Sequence, residues 1–271
     1  MKAATAIGIG LALGCLLLSA MMEGTSPAAF FDIPALMVVL GGTGGATLAS
    51  VGMPSMKRVP ALYKLAFSAE PPDMRSRLDL LVSLADKARR EGLLALDATL
   101  SGIDDTFTRN ALQLVVDGAD PEMVHAIMES EVDSMGARHD SGAKPFEKAG
   151  GFAPTMGILG TVMGLVHVLA NLSAPATLGP AISSAFMATL MGVGSANVIF
   201  LPVANRLKAI SAEEAELRMM TLEGVLSIQS GDNPRLVAEK LMSYVPPAER
   251  AAEREQSAPG RATATLQPEA A

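Results

Sequence analysis

Lysine, arginine, aspartate and glutamate are missing from three long stretches of this chain, and that absence constrains the fold more than any other feature. The gap between Lys2 and Glu23 is 20 residues and that between Asp32 and Lys57 is 24. The gap between Lys148 and Arg206 is 57, interrupted only by His167. A helix crossing the hydrocarbon core of a bilayer needs about 20 apolar residues. The first two gaps therefore predict one span each. The third predicts two, joined by a turn in the Pro- and Gly-containing stretch from Asn171 to Pro180. The expected spans lie near 3–21, 31–50, 151–170 and 181–203.

The basic residues orient these spans. Of 21 Lys and Arg, Lys2 precedes the first span, twelve lie between Lys57 and Lys148, and eight lie between Arg206 and Arg261. None falls in the first or the third connection. The positive-inside rule then puts both termini and the central segment in the cytoplasm, with two short outer loops. The start of the chain has a superficial signal-peptide look, and Gly14-Cys15 a faint lipoprotein-site look. However, Ala12 stands where such a site wants leucine, and the apolar run continues through Met22. A retained first helix is expected, with Cys15 as a buried thiol. As the only cysteine in 271 residues, it excludes a disulfide scaffold. A net charge of -7 argues against a phosphate-reading surface.

The polar segments read as helical. Apolar positions 78, 81, 82, 84, 85 and 88 form an amphipathic stripe over Met74–Arg90, started by Pro71-Pro72-Asp73 and ended or bent at Gly92. Leu93 to Leu100 continues it. Thr106 to Asp117 is a further helix, closed by Gly118. Asp120-Pro121 starts another that runs past Met135. Ala212–Leu226 and a short segment from Asn233-Pro234 to near Tyr244 complete the set. The fold class is an all-α integral membrane protein, four transmembrane helices with a helical cytoplasmic insertion between the second and third. Its expected parts are 1–51 (two spans and a periplasmic loop), 52–149 (cytoplasmic helices), 150–205 (two spans), 206–245 (a cytoplasmic helical tail) and 246–271 (disordered).

Signatures of enzyme chemistry are absent from the sequence. His125, His139 and His167 have no metal-ligand spacing, and no cofactor motif is present. Gly41-Gly-Thr-Gly-Gly45 lies in a span and reads as close helix packing, not as a phosphate loop. In the third span Gly157, Gly160, Thr161 and Gly164 share one face; in the fourth, Ala185, Ala188, Thr189, Gly192 and Ala196 do. Facing stripes of small residues let two helices approach closely. Thr161 and Thr189 put one hydroxyl on each stripe, either to bond the helix's own carbonyls or to line a path. Pro154 and Pro202 sit at matched depth near the cytoplasmic boundary, either as a flexing pair or as helix-end prolines. Neither span holds an Asp, Glu, Lys or Arg. An ion relay normally needs an ionisable group, so any such carboxylate must come from another chain. Asp32, at the outer end of the second span, caps that helix or sits at an outer mouth.

The string from Gly151-Phe-Ala-Pro154 through Thr161-Val-Met-Gly164 to Leu169, together with Asp32-Ile-Pro34 and Phe200-Leu-Pro202-Val-Ala-Asn-Arg206, resembles the MotA/PomA stator subunits of the bacterial flagellar motor. The resemblance runs from about residue 1 to 245. It implies a non-enzymatic subunit of the bacterial inner membrane, forming a pentamer around a dimer of a MotB/PomB-type partner that carries the membrane Asp. Its only dissociable component is the coupling ion, H+ or Na+. Thr161, a hydroxyl common in sodium-driven members, leans the choice slightly to Na+. The same resemblance implies roles in the ion path for Thr161 and Thr189, in conformational coupling for Pro154 and Pro202, and in contact with the rotor protein FliG for Arg89, Arg90 and Asp97. Asp97 followed by Ala98 departs from the more acidic pattern of the family. A TolQ/ExbB-like subunit energising the envelope, a stator for non-flagellar motility and a small transporter are the competing readings.

Overall fold

A computed structural model describes residues 2–173, 175–247 and 250, and helices make up nearly all of its regular structure. The main helices are α1 (Lys2–Met22), α2 (Ile33–Ser68), α3 (Met74–Glu91), α4 (Thr106–Val116), α5 (Pro121–Ala170), α6 (Pro175–Gln229) and α7 (Pro234–Met242). No strand occurs among the described residues. α1, α2, α5 and α6 are long and apolar enough to cross a membrane. The disorder expected for 246–271 falls almost wholly outside the described residues.

Local chemistry explains where these helices start and stop. Asp73 accepts a hydrogen bond from the Ser76 amide at 2.9 Å, Asp105 from Thr108 at 3.1 Å and Asp120 from Met123 at 3.0 Å. Each satisfies an orphan donor of a first helical turn. Pro121 and Pro234 occupy first helical positions, where a missing amide proton costs nothing. Gly92 takes φ +88°, a region that side chains disfavour, and ends α3. After it the chain forms tight turns over Leu93–Leu96 and one helical turn over Asp97–Leu100, not a continued helix.

The long helices differ from the expected segments. α5 runs for 50 residues, about 75 Å, from the polar start at Pro121 through the whole third span. α6 starts at Pro175, so Pro180 lies inside a helix and not in a turn. It then continues through the tail to Gln229. α2 extends to Ser68, broken in backbone geometry at Gly52 (φ +77°), with Pro54 and Pro60 beyond. Cys15 is exposed on α1, not buried, because α1 packs little of its surface against the rest of the chain.

The chain divides into two compact units, residues 1–72 with 131–215, and 73–130 with 216–271. In the first, α2, α5 and α6 share a core of Ala66, Ala143, Phe146, Val203, Ala204 and Leu207, with Leu62 and Tyr63 against it. Lys208 on α6 pairs with Glu147 on α5 at 2.5 Å, and Arg206 with Glu213 at 3.3 Å, where charge returns to the sequence. The second unit buries large side chains instead: Leu81, Phe107, Leu112, Met128, Met220 and Ile228 are all at most 2% exposed.

Candidate functional site

The small faces of α5 and α6 meet at van der Waals contact. A methyl group on Gly157 would lie 2.8 Å from the Ala188 carbonyl and 3.1 Å from the Thr189 Cα. One on Gly192 would lie 2.5 Å from the Ala153 carbonyl, and one on Gly164 would lie 2.6 Å from the Ala185 Cβ. No side chain fits at these points. The glycines are therefore required by backbone approach, the membrane solution to packing without a hydrophobic driving force.

Thr161 and Thr189 sit in the middle of this junction, and the structure brings their hydroxyls together. Thr161 Oγ1 is paired with Thr189 Oγ1, lies 2.8 Å from the Ala185 carbonyl across the junction, and lies 3.1 Å from the Gly157 carbonyl of its own helix. Thr189 Oγ1 also approaches that Gly157 oxygen at 3.5 Å. A hydroxyl has one proton and two lone pairs. The Thr161 hydroxyl thus has a carbonyl acceptor within reach on each helix, Gly157 on its own and Ala185 on the other. Both threonines remain partly exposed, so lone pairs stay available at the edge of the junction.

α2 closes a third side. Its positions 35, 39, 43 and 47 are all buried. Ala35 and Val39 pack with Ala188, Met187 and Met191, and Gly42 lies against Met156. The other glycines of the 41–45 string, Gly41, Gly44 and Gly45, have nothing near them, so only Gly42 fills the packing role expected of all four. Two hydroxyls that the sequence reading passed over belong to the buried stripe. Thr43 and Thr47 are each 2% exposed, and neither Oγ1 has a hydrogen-bond partner. The available signal was their spacing of four from each other and from Val39. Both α2 and α6 contain one widened turn, over Met37–Gly41 and Ala196–Phe200, where helical bonds span five residues. Such turns recur at functional positions of membrane helices.

The remaining predicted residues are spread over both units. Pro154 and Pro202 are half-buried inside α5 and α6 and near helix interiors, not at helix ends. Asp32 caps α2, its Oδ1 accepting from the Ala35 amide at 3.4 Å. In the second unit Arg89 and Arg90 are exposed in the last turn of α3, and Asp97 is exposed at the start of the turn that follows Leu96. Arg90 is ion-paired with Asp86 one turn back. A cavity of about 620 Å³ between α1, α2 and α6 is lined mainly by apolar side chains, leucines, phenylalanines and Met191 among them, and holds none of the predicted site residues.

Comparison with known proteins agrees with this geometry. A model of the MotA/TolQ/ExbB proton channel family matches residues 99–220. Motility protein A of Borreliella burgdorferi is 39% identical over 250 residues, covering 92% of this chain and 96% of that protein. Motility protein A of Bacillus subtilis is 38% identical over 90% of this chain and 91% of its own length. Chemotaxis protein PomA of Vibrio alginolyticus is 33% identical, covering 86% and 92%. The solved flagellar MotAB stator complex from Bacillus subtilis contains a chain that superposes with a TM-score of 0.86 at 37% identity, covering 92% of this chain and 98% of that one. The structure of C. jejuni MotAB gives 0.86 at 28% identity, covering 91% and 96%. With its four apolar helices and these likenesses across nearly its whole length, this multi-pass membrane chain belongs to the MotA/TolQ/ExbB proton channel family.

Proposed function

We propose that this chain is a stator subunit of a flagellar motor. With a MotB/PomB-type partner it forms an ion channel that converts proton or sodium flow into torque on the rotor. One observation carries the reading. The α5–α6 junction gathers hydroxyls at mid-span, yet residues 149–205 contain no Asp, Glu, Lys or Arg. Hydroxyls can order waters or coordinate a partly dehydrated cation, but they cannot hold and release a proton at ordinary pH. A second chain must supply the carboxylate, and the solved relatives are complexes titled MotAB.

In this mechanism Thr161 and Thr189 line the ion path beside the partner's carboxylate. Neutralising that carboxylate changes the electrostatics at the α5–α6 face. Pro154 and Pro202, each without an amide proton, make the inner halves of both helices able to flex. The movement reaches the second unit through α5 and α6, which contribute to both units. There Arg89, Arg90 and Asp97 present charge to the rotor protein FliG. Asp32 stands at the outer mouth. The assembly is a pentamer of this chain around a partner dimer in the bacterial inner membrane, with both termini cytoplasmic. It carries no cofactor besides its coupling ion, H+ or Na+, and catalyses no covalent chemistry.

The test is to co-express the chain with its partner in a flagellated host lacking stators, and to measure swimming speed against external sodium at fixed membrane potential. Restored swimming supports the reading. Speed rising with sodium assigns Na+, and speed indifferent to sodium but stopped by a protonophore assigns H+. A correctly inserted complex that restores no swimming on a compatible rotor overturns the flagellar role in favour of an envelope-energising one.

A further inference from the structure

We infer that Thr43 and Thr47 on α2 hold a file of ordered water that continues the Thr161–Thr189 pair toward the inner ends of the spans, so that α2 forms a wall of the second half of the ion path. The inference rests on the ion-channel reading above and adds a third helix to it.

The first support is an imbalance in hydrogen bonding. Burying a hydroxyl without a partner carries a desolvation penalty, and the lipid around a span offers no bulk water to relieve it. Several other hydroxyls of the spans have carbonyl partners. Ser50 on the same helix donates to the Ala46 carbonyl at 2.9 Å, Thr155 to Phe152 at 2.8 Å and Ser195 to Gly192 at 3.2 Å. Thr43 and Thr47, buried deeper than any of these, are bonded to nothing in the chain. Valine would fill the same space without the penalty. Water is the smallest group that satisfies such a site, since each molecule makes two to four hydrogen bonds.

The second support is register. α2 and α6 run in the same direction: Ala35 and Val39 pack at the level of Ala188, and Ala66 packs at the level of Val203 and Leu207. Four helical residues rise about 6 Å. Thr43 therefore lies about one turn, and Thr47 about two turns, inward of the level where Val39 meets the Thr189 turn. That stretch of α6 contains the widened turn Ala196–Phe200, and on α5 it is met by Ala153 and Pro154, since the Ala153 carbonyl faces Gly192. The four hydroxyls thus form a ladder from mid-span to the depth of the prolines. An ion or proton released from the partner's carboxylate meets polar groups along that whole interval.

The test is single-motor rotation in cells that express the chain with its partner, comparing Thr43→Val, Thr47→Val and the corresponding serine variants. At low load, ion transit limits speed; near stall, torque reports the driving force and the contact with the rotor. The expected result is that each valine variant lowers low-load speed per engaged stator about fivefold, as the loss of a hydroxyl partner in a transit step would. Stall torque per stator stays unchanged, and serine restores the speed. Unchanged low-load speed in both valine variants overturns the inference. So does a parallel fall of speed and stall torque, a failure of serine to restore, or a failure of the isosteric valine chains to engage the motor, each of which assigns the hydroxyls to packing. Failure of the underlying reading is separate, since the unsubstituted chain would then not rotate the motor at all.

Discussion

The α5–α6 junction in the first unit and the core of the second unit are built on opposite principles. At the junction, backbones and alanine methyls meet directly: Gly157, Gly160, Gly164 and Gly192 each face a neighbour that a methyl group would strike. In the second unit, contacts are between large apolar side chains around Phe107, Leu81 and Leu112, each at most 1% exposed, with Arg218 stacked over the Phe107 ring at 5.1 Å. One region is sensitive to added volume and the other to removed volume. Water drives the burial of large side chains. Lipid is as apolar as leucine and drives nothing comparable, so close approach has to supply the attraction.

Removing volume from the second unit gives the largest effect. Phe107→Ala deletes a ring that is 1% exposed and a cation–π partner of Arg218. It should destabilise that unit by about 3–5 kcal/mol. Hydrogen exchange on the purified complex would show it as faster exchange in α3, α4 and α7, with the α5–α6 junction protected as before. Equal loss of protection in both units would refute the separation.

Adding volume at the junction comes next. Gly192→Ala puts a carbon 2.5 Å from the Ala153 carbonyl, which is backbone and cannot swing away. The cost should be about 1–3 kcal/mol. The readout is a lower melting temperature of the complex in detergent with unchanged exchange in α3 and α4. Gly179→Ala is the control, because nothing lies within 4 Å of that position. If both glycine variants melt alike, the junction does not depend on close approach.

The sequence made the first principle legible and only part of the second. Charge gaps located all four membrane helices, because the absence of Asp, Glu, Lys and Arg reports the solvent directly. The Asp73 and Asp120 caps were legible for the same local reason, a side-chain oxygen beside orphan amides. The continuity of α5 through Lys148, Gly150 and Gly151 was not. The change there is one of solvent, whereas a helix ends only where its backbone bonds end. Pro175 and Pro180 pointed to a turn for the converse reason: a proline at a helix start and one within its early turns keep the helix intact, and composition does not separate them from a loop. At the site, the facing stripes and their threonines were readable from periodicity within each helix. The contribution of Thr43 and Thr47 was not, because it depends on which face of α2 turns inward, a matter of three-helix packing. The glycines of the 41–45 string drew the packing role together, yet within this chain Gly42 is the one with a neighbour.

The smallest expected effect sharpens the comparison through charge, which the second unit uses and the junction lacks. Asp105 caps α4, pairs with Arg77 Nη1 at 2.5 Å and is bonded by Thr108. Burial pushes its carboxyl up, but the bonds from Thr108 and Arg77 and the guanidinium charge outweigh burial and hold it below the ordinary carboxylate value. A depressed native pKa stabilises the fold above the unfolded pKa, about 3.9, and that stability is lost as pH falls through the native value. Asp105 is partly exposed, so screening keeps the contribution below about 1 kcal/mol. Asp105→Asn keeps a capping oxygen and removes the charge. Exchange of the α4 amides should therefore be modestly faster in the variant at neutral pH, and the difference should start to shrink below about pH 4 and vanish as pH falls through the depressed native pKa. At the α5–α6 junction the two proteins should exchange alike at every pH, because no carboxylate of this chain lies within residues 149–205. A difference in α4 that persists unchanged into acid would mean that the carboxylate acts through shape alone, and that charge does not separate the two regions.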